Sequence, residues 1–268
     1  MVYIVGAGPG AEDLITLRGL RLLRSADLVI YAGSLVNPEI LKETKEGCRI
    51  LNSARMTLEQ VIHEMEDAEK KGLVTVRLHT GDPCIYGAIR EQMDWMRQRN
   101  IPYEICPGVS SFCGAAASLE MEYTLPEVSQ SVVITRMAGR TPVPERESIR
   151  SFAAHRATMV IFLSAGMLKE LTSELLAGGY GPETPAAIVY KSTWPEEKII
   201  RCDLKDLERL AKEEGITKTA LIVVGDAAAQ TGYLRSRLYA PEFETEFRKA
   251  SSGGDGDEKE RKTQQIGE

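Results

Sequence analysis

The first half of the chain repeats one device. A short apolar run of strand character ends in a sharp turn, and a stretch of helical periodicity follows. "VYIVGAG" precedes "TLRGLRLLRSA", in which Leu17, Leu20, Leu22 and Leu23 fall mostly on one face. "DLVIYAG" comes next, then a short helix near "NPEILKET" and the short strand "CRILN". The clearest helix is "TLEQVIHEMEDAEKKG". Thr57 and Gln60 have capping-box spacing there, Leu58, Val61, Ile62 and Met65 form the apolar stripe, and Gly72 ends it. "LVTVRLHT", "YGAIREQMDWMRQRN" and "IPYEICPG" continue the series. Parallel strands need crossover connections and helices supply them, so the alternation predicts an α/β fold with a largely parallel sheet.

Residues 119–130, "LEMEYTLPEVSQ", break that rhythm, and a second α/β series then runs from "SVVITRM" to "TALIVVGDA". The expected organisation is an N-terminal α/β domain over residues 1–118, a linker over 119–130 and a C-terminal α/β domain over 131–241. Both sheets are expected to be mostly parallel, with a cleft between the domains. Residues 242–268 lack apolar periodicity. They end in the Gly- and charge-rich "SSGGDGDEKERKTQQIGE", which cannot build a core and reads as a disordered tail.

Charge and residue usage exclude several classes. A net charge of −6 and a pI near 5.4 argue against a nucleic-acid surface. No apolar run approaches the ~18 residues of a membrane span. The N-terminus lacks the basic segment of a signal peptide, so a cytoplasmic protein is expected. The five cysteines are an odd count without a C-x-x-C pair, Cys106 and Cys113 match no usual ligand spacing, and the three histidines are scattered. Neither a disulfide framework nor a bound metal is indicated.

Four sharp loops follow predicted strands: "GAGPG" at residues 6–10, "TGDP" at 80–83, "LSAG" at 163–166 and "VGDA" at 224–227. In open α/β sheets ligands bind outside the carboxyl ends of strands, and two loops come from each expected domain. Gly6-x-Gly8-x-x-Ala11 matches a loose dinucleotide fingerprint. Against a nicotinamide enzyme, Glu12 and Asp13 put negative charge where a pyrophosphate would sit, and the second strand ends at Tyr31 without an acid for a ribose. The loop at Asp82 and Pro83 reads either as a strand-to-helix turn or as a ligand loop.

Taken together, "VGAGPGAEDLITLRG", "GDPCIYG", "CPGVSSF" and "ALIVVG" resemble the tetrapyrrole (corrin/porphyrin) methylases that use S-adenosylmethionine, over Val2 to about Pro241. "RMAGRTPVPERE" with "GDPCIYGAIREQ" is most similar to the members that methylate C11 of precorrin-4 or cobalt-precorrin-4 in cobalamin synthesis. The resemblance implies two α/β domains, S-adenosyl-L-methionine folded into the cleft between them, S-adenosyl-L-homocysteine as product, a tetrapyrrole substrate and a homodimer. Carried over by motif position, Pro9, Gly81, Asp82, Ile85, Ser110 and Ser111 line the cofactor pocket. Leu163 and Ala220 follow from analogous strand-end positions, and Tyr86 from adjacency to the loop. A methylase acting at another ring position is the alternative within the fold. An RNA-directed relative is disfavoured by the acidic charge and the 6% aromatic content. A non-catalytic binding module stays open as an alternative, although it would have little reason for paired cofactor and arginine loops.

Methyl transfer from a sulfonium releases a neutral thioether, so no acid is needed at the leaving group. The protein contributes alignment and desolvation, and no catalytic acid or base is expected. A polycarboxylate substrate calls for cations. Arg136, Arg140 and Arg146 cluster in a loop with Gly139, Pro142 and Pro144, and arginine's planar fork suits carboxylates. Lys191 reads as a solvated strand end ahead of a cleft-facing cation, Cys84 as a small buried apolar residue, His79 as structural, and Met137 as packing ahead of pocket lining.

Overall fold

The computed structural model describes residues 1–251. Residues 252–268, most of the expected tail, lie outside the described residues.

In the first half the strands are β1 (Val2–Gly6), β2 (Leu28–Tyr31), β3 (Arg49–Asn52), β4 (Thr75–His79) and β5 (Tyr103–Cys106). The helices are α1 (Leu17–Ser25), α2 (Leu58–Lys70), α3 (Ile89–Gln98) and α4 (Ser111–Ser118). Capping explains two starts: Thr16 Oγ1 accepts from Gly19 N at 3.1 Å, and Thr57 and Gln60 close a reciprocal capping box on α2. "NPEILKET" forms a 3-10 turn over Pro38–Glu43 instead of an α-helix. Leu17, expected on the α1 stripe, is exposed because it occupies the helix's first position.

The five strands pair in the order β3-β2-β4-β1-β5, and all four ladders between them are parallel. Strand period two splits the core. Val2, Ile4, Leu28 and Ile30 pack with Val61, Ile62 and Met65 of α2 and Met96 of α3. Val5, Val29, Val76 and Leu78 pack on the other face with Leu23 of α1 and Ile40.

The second half contributes β6 (Val132–Arg136), α5 (Ile149–Ala153), β7 (Thr158–Phe162), α6 (Leu168–Gly178), β8 (Pro185–Tyr190), β9 (Lys198–Asp203), α7 (Leu207–Glu213) and β10 (Ala220–Val224). These strands form a sheet in the order β6-β7-β10-β8-β9. β6 and β7 are parallel, with Arg136 opposite Phe162. β10 runs antiparallel to β7, with Ile222 opposite Ile161.

That direction corrects one expectation. "VGDA" follows the end of β10, so it lies at the sheet edge where β7 begins, and a Cβ on Gly225 would meet the Ala157 carbonyl at 3.2 Å. "LSAG" follows the end of β7, at the opposite edge. Strand composition does not report direction, because β7 and β10 are both buried along their whole length. Ala220 opens β10 and therefore stands at the same sheet edge as the end of β7.

The chain divides into two compact units. One comprises Met1–Glu120, Ile188–Ile200 and Ile216–Leu221; the other comprises Met121–Ala187, Arg201–Gly215 and the described residues from Ile222 onward.

Candidate active site

In the first unit the ends of β1, β4 and β5 meet backbone to backbone. Gly8 and Gly81 form an isolated antiparallel bridge, Gly81 N donating to Gly8 O at 2.7 Å, with both residues at positive φ. A Cβ on Gly6 would fall 2.5 Å from the Gly81 carbonyl, and one on Gly108 would fall 2.2 Å from it. Three strand-end loops can approach this closely only if they carry no side chains.

Asp82 ties two of these loops. Its Oδ1 accepts from Cys84 N at 2.7 Å, which makes the local turn, and its Oδ2 accepts from Gly108 N at 2.9 Å, which reaches the β5 loop. The turn reading and a role in the loop cluster are thus both realised in one carboxylate. Cys84 is exposed, not buried as expected, because the turn directs it outward. Desolvation and then the Asp82 carboxylate push its thiol pKa up, so no reactive thiolate is favoured.

Beyond the turn, Tyr86 and Ala88 adopt φ of 56° and 50°. Left-handed backbone at non-glycine residues costs ~1–2 kcal/mol each and clusters at ligand sites. Tyr86 is 45% exposed and Ile85 half-buried. Pro9 and Gly81 are buried, and Ser110 is buried at the start of α4 with Ser111 half-buried beside it. A Cβ on Gly81 would lie 3.2 Å from Ser111 N, so this glycine keeps the first turn of α4 uncovered.

A turn that the sequence reading passed over completes this unit. After β8, Lys191 and Thr193 take φ of 47° and 65°. Thr193 Oγ1 accepts from Ala11 N at 3.0 Å, and Trp194 Nε1 donates to Pro9 O at 3.2 Å. Glu197 Oε2 accepts from Thr193 N and from Ser118 Oγ, both at 2.5 Å. The turn therefore grips the Pro9 loop and the end of α4 together. "STWPEE" carries no recognised ligand pattern, and only the Trp within a polar Pro turn marks it. Lys191 is no freely solvated strand end: its ammonium lies 5.0 Å from the Trp194 ring centroid and 3.4 Å from Glu196.

Beneath the loops, β4 buries two bases. The Arg77 guanidinium donates to Ile30 O at 3.0 Å and Gln92 Oε1 at 3.1 Å, and burial lowers its pKa to about 10. Burial, and then Arg77, lower His79 to about 3, and its buried Nε2 has no partner among the described residues. A histidine held neutral inside the sheet fits the structural role expected for it.

In the second unit Leu163, directly after β7, has φ 53° and is 64% exposed. The arginine loop follows the adjacent strand β6. Arg136 is half-buried and donates to the carbonyls of Met137, Thr141 and Pro142 at 2.9–3.1 Å, so it fastens the loop from within. Arg140 is exposed, with no ion-pair partner among the described residues. Arg146, 86% exposed, pairs with Glu147. The structure thus separates three similar arginines into an internal fastener and two outward cations. A groove of about 450 Å³ behind Met137 and Ala138 mixes Lys169 with Glu170 and Glu174, so nothing in it selects a polyanion. Among the described residues no group of three or more His, Cys, Asp or Glu is arranged for a metal ion.

The chain belongs to the tetrapyrrole (corrin/porphyrin) methylases, whose family model matches residues 1–208. It is 52% identical over 249 residues to the cobalt-precorrin-4 C(11)-methyltransferase of Methanocaldococcus jannaschii, covering 93% of this chain and 96% of that one. Its fold matches the crystal structure of a cobalamin biosynthetic enzyme, cobalt precorrin-4 methyltransferase, with a TM-score of 0.83 and 45% identity, over 85% of this chain and 95% of that one. It also matches uroporphyrin-III C-methyltransferase from Thermus thermophilus complexed with S-adenyl homocysteine, with a TM-score of 0.70 and 25% identity, over 84% and 92% of the two chains.

Proposed function

We propose that this protein transfers a methyl group from S-adenosyl-L-methionine to C11 of precorrin-4, metal-free or cobalt-loaded, in cobalamin biosynthesis. The observation that carries the reading is identity of 52% to a C(11)-methyltransferase over nearly the full length of both chains. S-adenosylmethionine as the methyl source draws support from the S-adenyl homocysteine complexed with a relative of the same fold.

The residues suit such a ligand. Pro9, Gly81, Asp82, Ile85, Tyr86, Ser110, Ser111, Leu163 and Ala220 are the proposed cofactor set. Gly81 leaves room over the amides of the first turn of α4, where donors are available to an amino-acid carboxylate. Tyr86 and Leu163 offer exposed apolar surface to a purine. Asp82, engaged by two amides, shapes the loop without placing an unpaired carboxylate in it. When bound, the cofactor supplies a methyl on a sulfonium, and the chain's part is to align and dehydrate it. Arg140 and Arg146 are proposed to receive tetrapyrrole carboxylates, and Arg136 to hold the loop that presents them.

A homodimer in the cytoplasm completes the proposal. Tyr233, Leu234, Leu238, Tyr239, Phe243 and Phe247 are all more than 40% exposed, an apolar run suited to a second copy. Light scattering that returns the monomer mass at micromolar concentration would remove the dimer.

The decisive assay offers labelled S-adenosylmethionine with metal-free and cobalt-loaded precorrin-4 side by side and reads the product by carbon NMR. A new methyl at C11 is the expected result. Methylation elsewhere on the ring moves the protein to another position within the family, and binding of cofactor without transfer to either substrate overturns the substrate.

A further inference from the structure

We infer that Ser164 is a positioning residue that sets the cofactor-facing Leu163 and the substrate-facing arginine loop with a single hydroxyl. The inference rests on the function proposed above and adds to it a residue with no contact to either ligand.

Ser164 is fully buried. Its Oγ donates to Phe162 O at 2.7 Å and accepts from Met137 N at 2.9 Å, so both capacities of the hydroxyl are used. The first bond reaches back two residues and spans Leu163. It closes the backbone around the residue held at φ 53° with its side chain exposed. An L-residue with a branched side chain adopts this conformation rarely, and it persists only where its surroundings fix it.

The second bond reaches the neighbouring strand end. β6 and β7 are parallel with Arg136 opposite Phe162, so Met137 and Leu163 are the first residues beyond two adjacent strands. The Met137 amide is held by Ser164, while its carbonyl accepts from the Arg136 guanidinium at 3.1 Å. Met137 is thus held through both of its flanking peptide groups, by the amide before its Cα and the carbonyl after it, where the loop departs. The turn after Ser164 supports the same loop: Met167 N donates to Ser164 O at 2.9 Å, and a Cβ on Gly139 would meet the Met167 methyl at 3.7 Å. Removing the hydroxyl releases Leu163 and the loop in one step, whereas loss of the Arg136 guanidinium releases only the loop.

The test measures S-adenosylmethionine Kd by calorimetry, tetrapyrrole KM and the thermal unfolding midpoint for Ser164→Ala, with Leu163→Ala and Arg140→Ala as references. Ser164→Ala is expected to raise both Kd and KM by about ten-fold, the scale of one buried hydrogen bond. Leu163→Ala is expected to move only Kd, and Arg140→Ala only KM. A Ser164→Ala protein that is less stable yet keeps both constants overturns the inference and returns Ser164 to a structural role. Should Ser164→Ala fail to fold, Ser164→Cys, which keeps the side chain's shape with a somewhat larger atom and hydrogen-bonds weakly, is read by the same rule. Parallel loss in both constants supports the coupling, and loss in one or neither overturns it. A wild-type protein that binds no S-adenosylmethionine is a separate outcome, which removes the proposed function and the inference with it.

Discussion

The Trp194 indole lies on the loop after β1, donating its Nε1 to the Pro9 carbonyl at 3.2 Å. The fit leaves no room at the next residue: a Cβ on Gly10 would fall 2.0 Å from Trp194 Cδ1. Gly10→Ala is therefore expected to cost about 1–3 kcal/mol of stability by overpacking. In a Trp194→Ala background the same substitution should cost less, because the ring is gone, while the Ser192 carbonyl 2.7 Å from that Cβ keeps part of the cost. Urea unfolding of the four proteins in this cycle gives the coupling. An equal cost of Gly10→Ala in both backgrounds refutes the packing account.

Asp82→Asn separates the two tasks of one carboxylate. The amide retains an acceptor for Cys84 N and loses the one for Gly108 N, since its nitrogen can only donate. The expected result is about 1–3 kcal/mol of lost stability and a weaker S-adenosylmethionine Kd, as the β4 and β5 loops lose their link. Calorimetry on the folded variant decides. Unchanged affinity would leave Asp82 as a turn residue alone.

His79 predicts a pH dependence. Its folded pKa of about 3 lies below its unfolded value of 6.5, so the unfolded chain binds the proton more readily between those limits. The neutral ring's contribution is fully present above pH 6.5 and is lost as pH falls towards 3. His79→Leu should flatten this limb, shrinking the stability difference between pH 7 and pH 4 by on the order of 3 kcal/mol. Denaturation curves at the two pH values measure it. Identical pH slopes for variant and wild type would place another group in control.

Much of this arrangement is legible from local rules. The capping box at Thr57 and Gln60, the helical stripe of α2 and the glycines at Gly8 and Gly81 each follow from chemistry within a few residues, and the structure realises them. Direction and long-range partnership are different. β10 is as apolar as a parallel core strand, and its antiparallel course depends on a neighbour whose paired residues lie 61 to 65 positions away in sequence. The Trp194 clamp joins residues 185 apart, and the partners of Arg136 are backbone carbonyls, which every residue has. No side-chain pattern announces such contacts.

Arg136 and Arg140 then make opposite predictions despite similar sequence surroundings. Arg136→Ala leaves the carbonyls of Met137, Thr141 and Pro142 without their donor and is expected to lower stability by about 1–3 kcal/mol, with tetrapyrrole KM rising as the loop loosens. Arg140 is exposed and fastens nothing among the described residues, so Arg140→Ala should leave stability within about 0.5 kcal/mol. Its effect should fall on tetrapyrrole KM alone, with S-adenosylmethionine Kd unmoved, if this cation meets the carboxylates and not the cofactor as proposed. Thermal unfolding and the two binding constants distinguish the pair. An Arg140→Ala enzyme with wild-type KM would return that side chain to the ordinary surface and leave Arg146 to be tested in the same way.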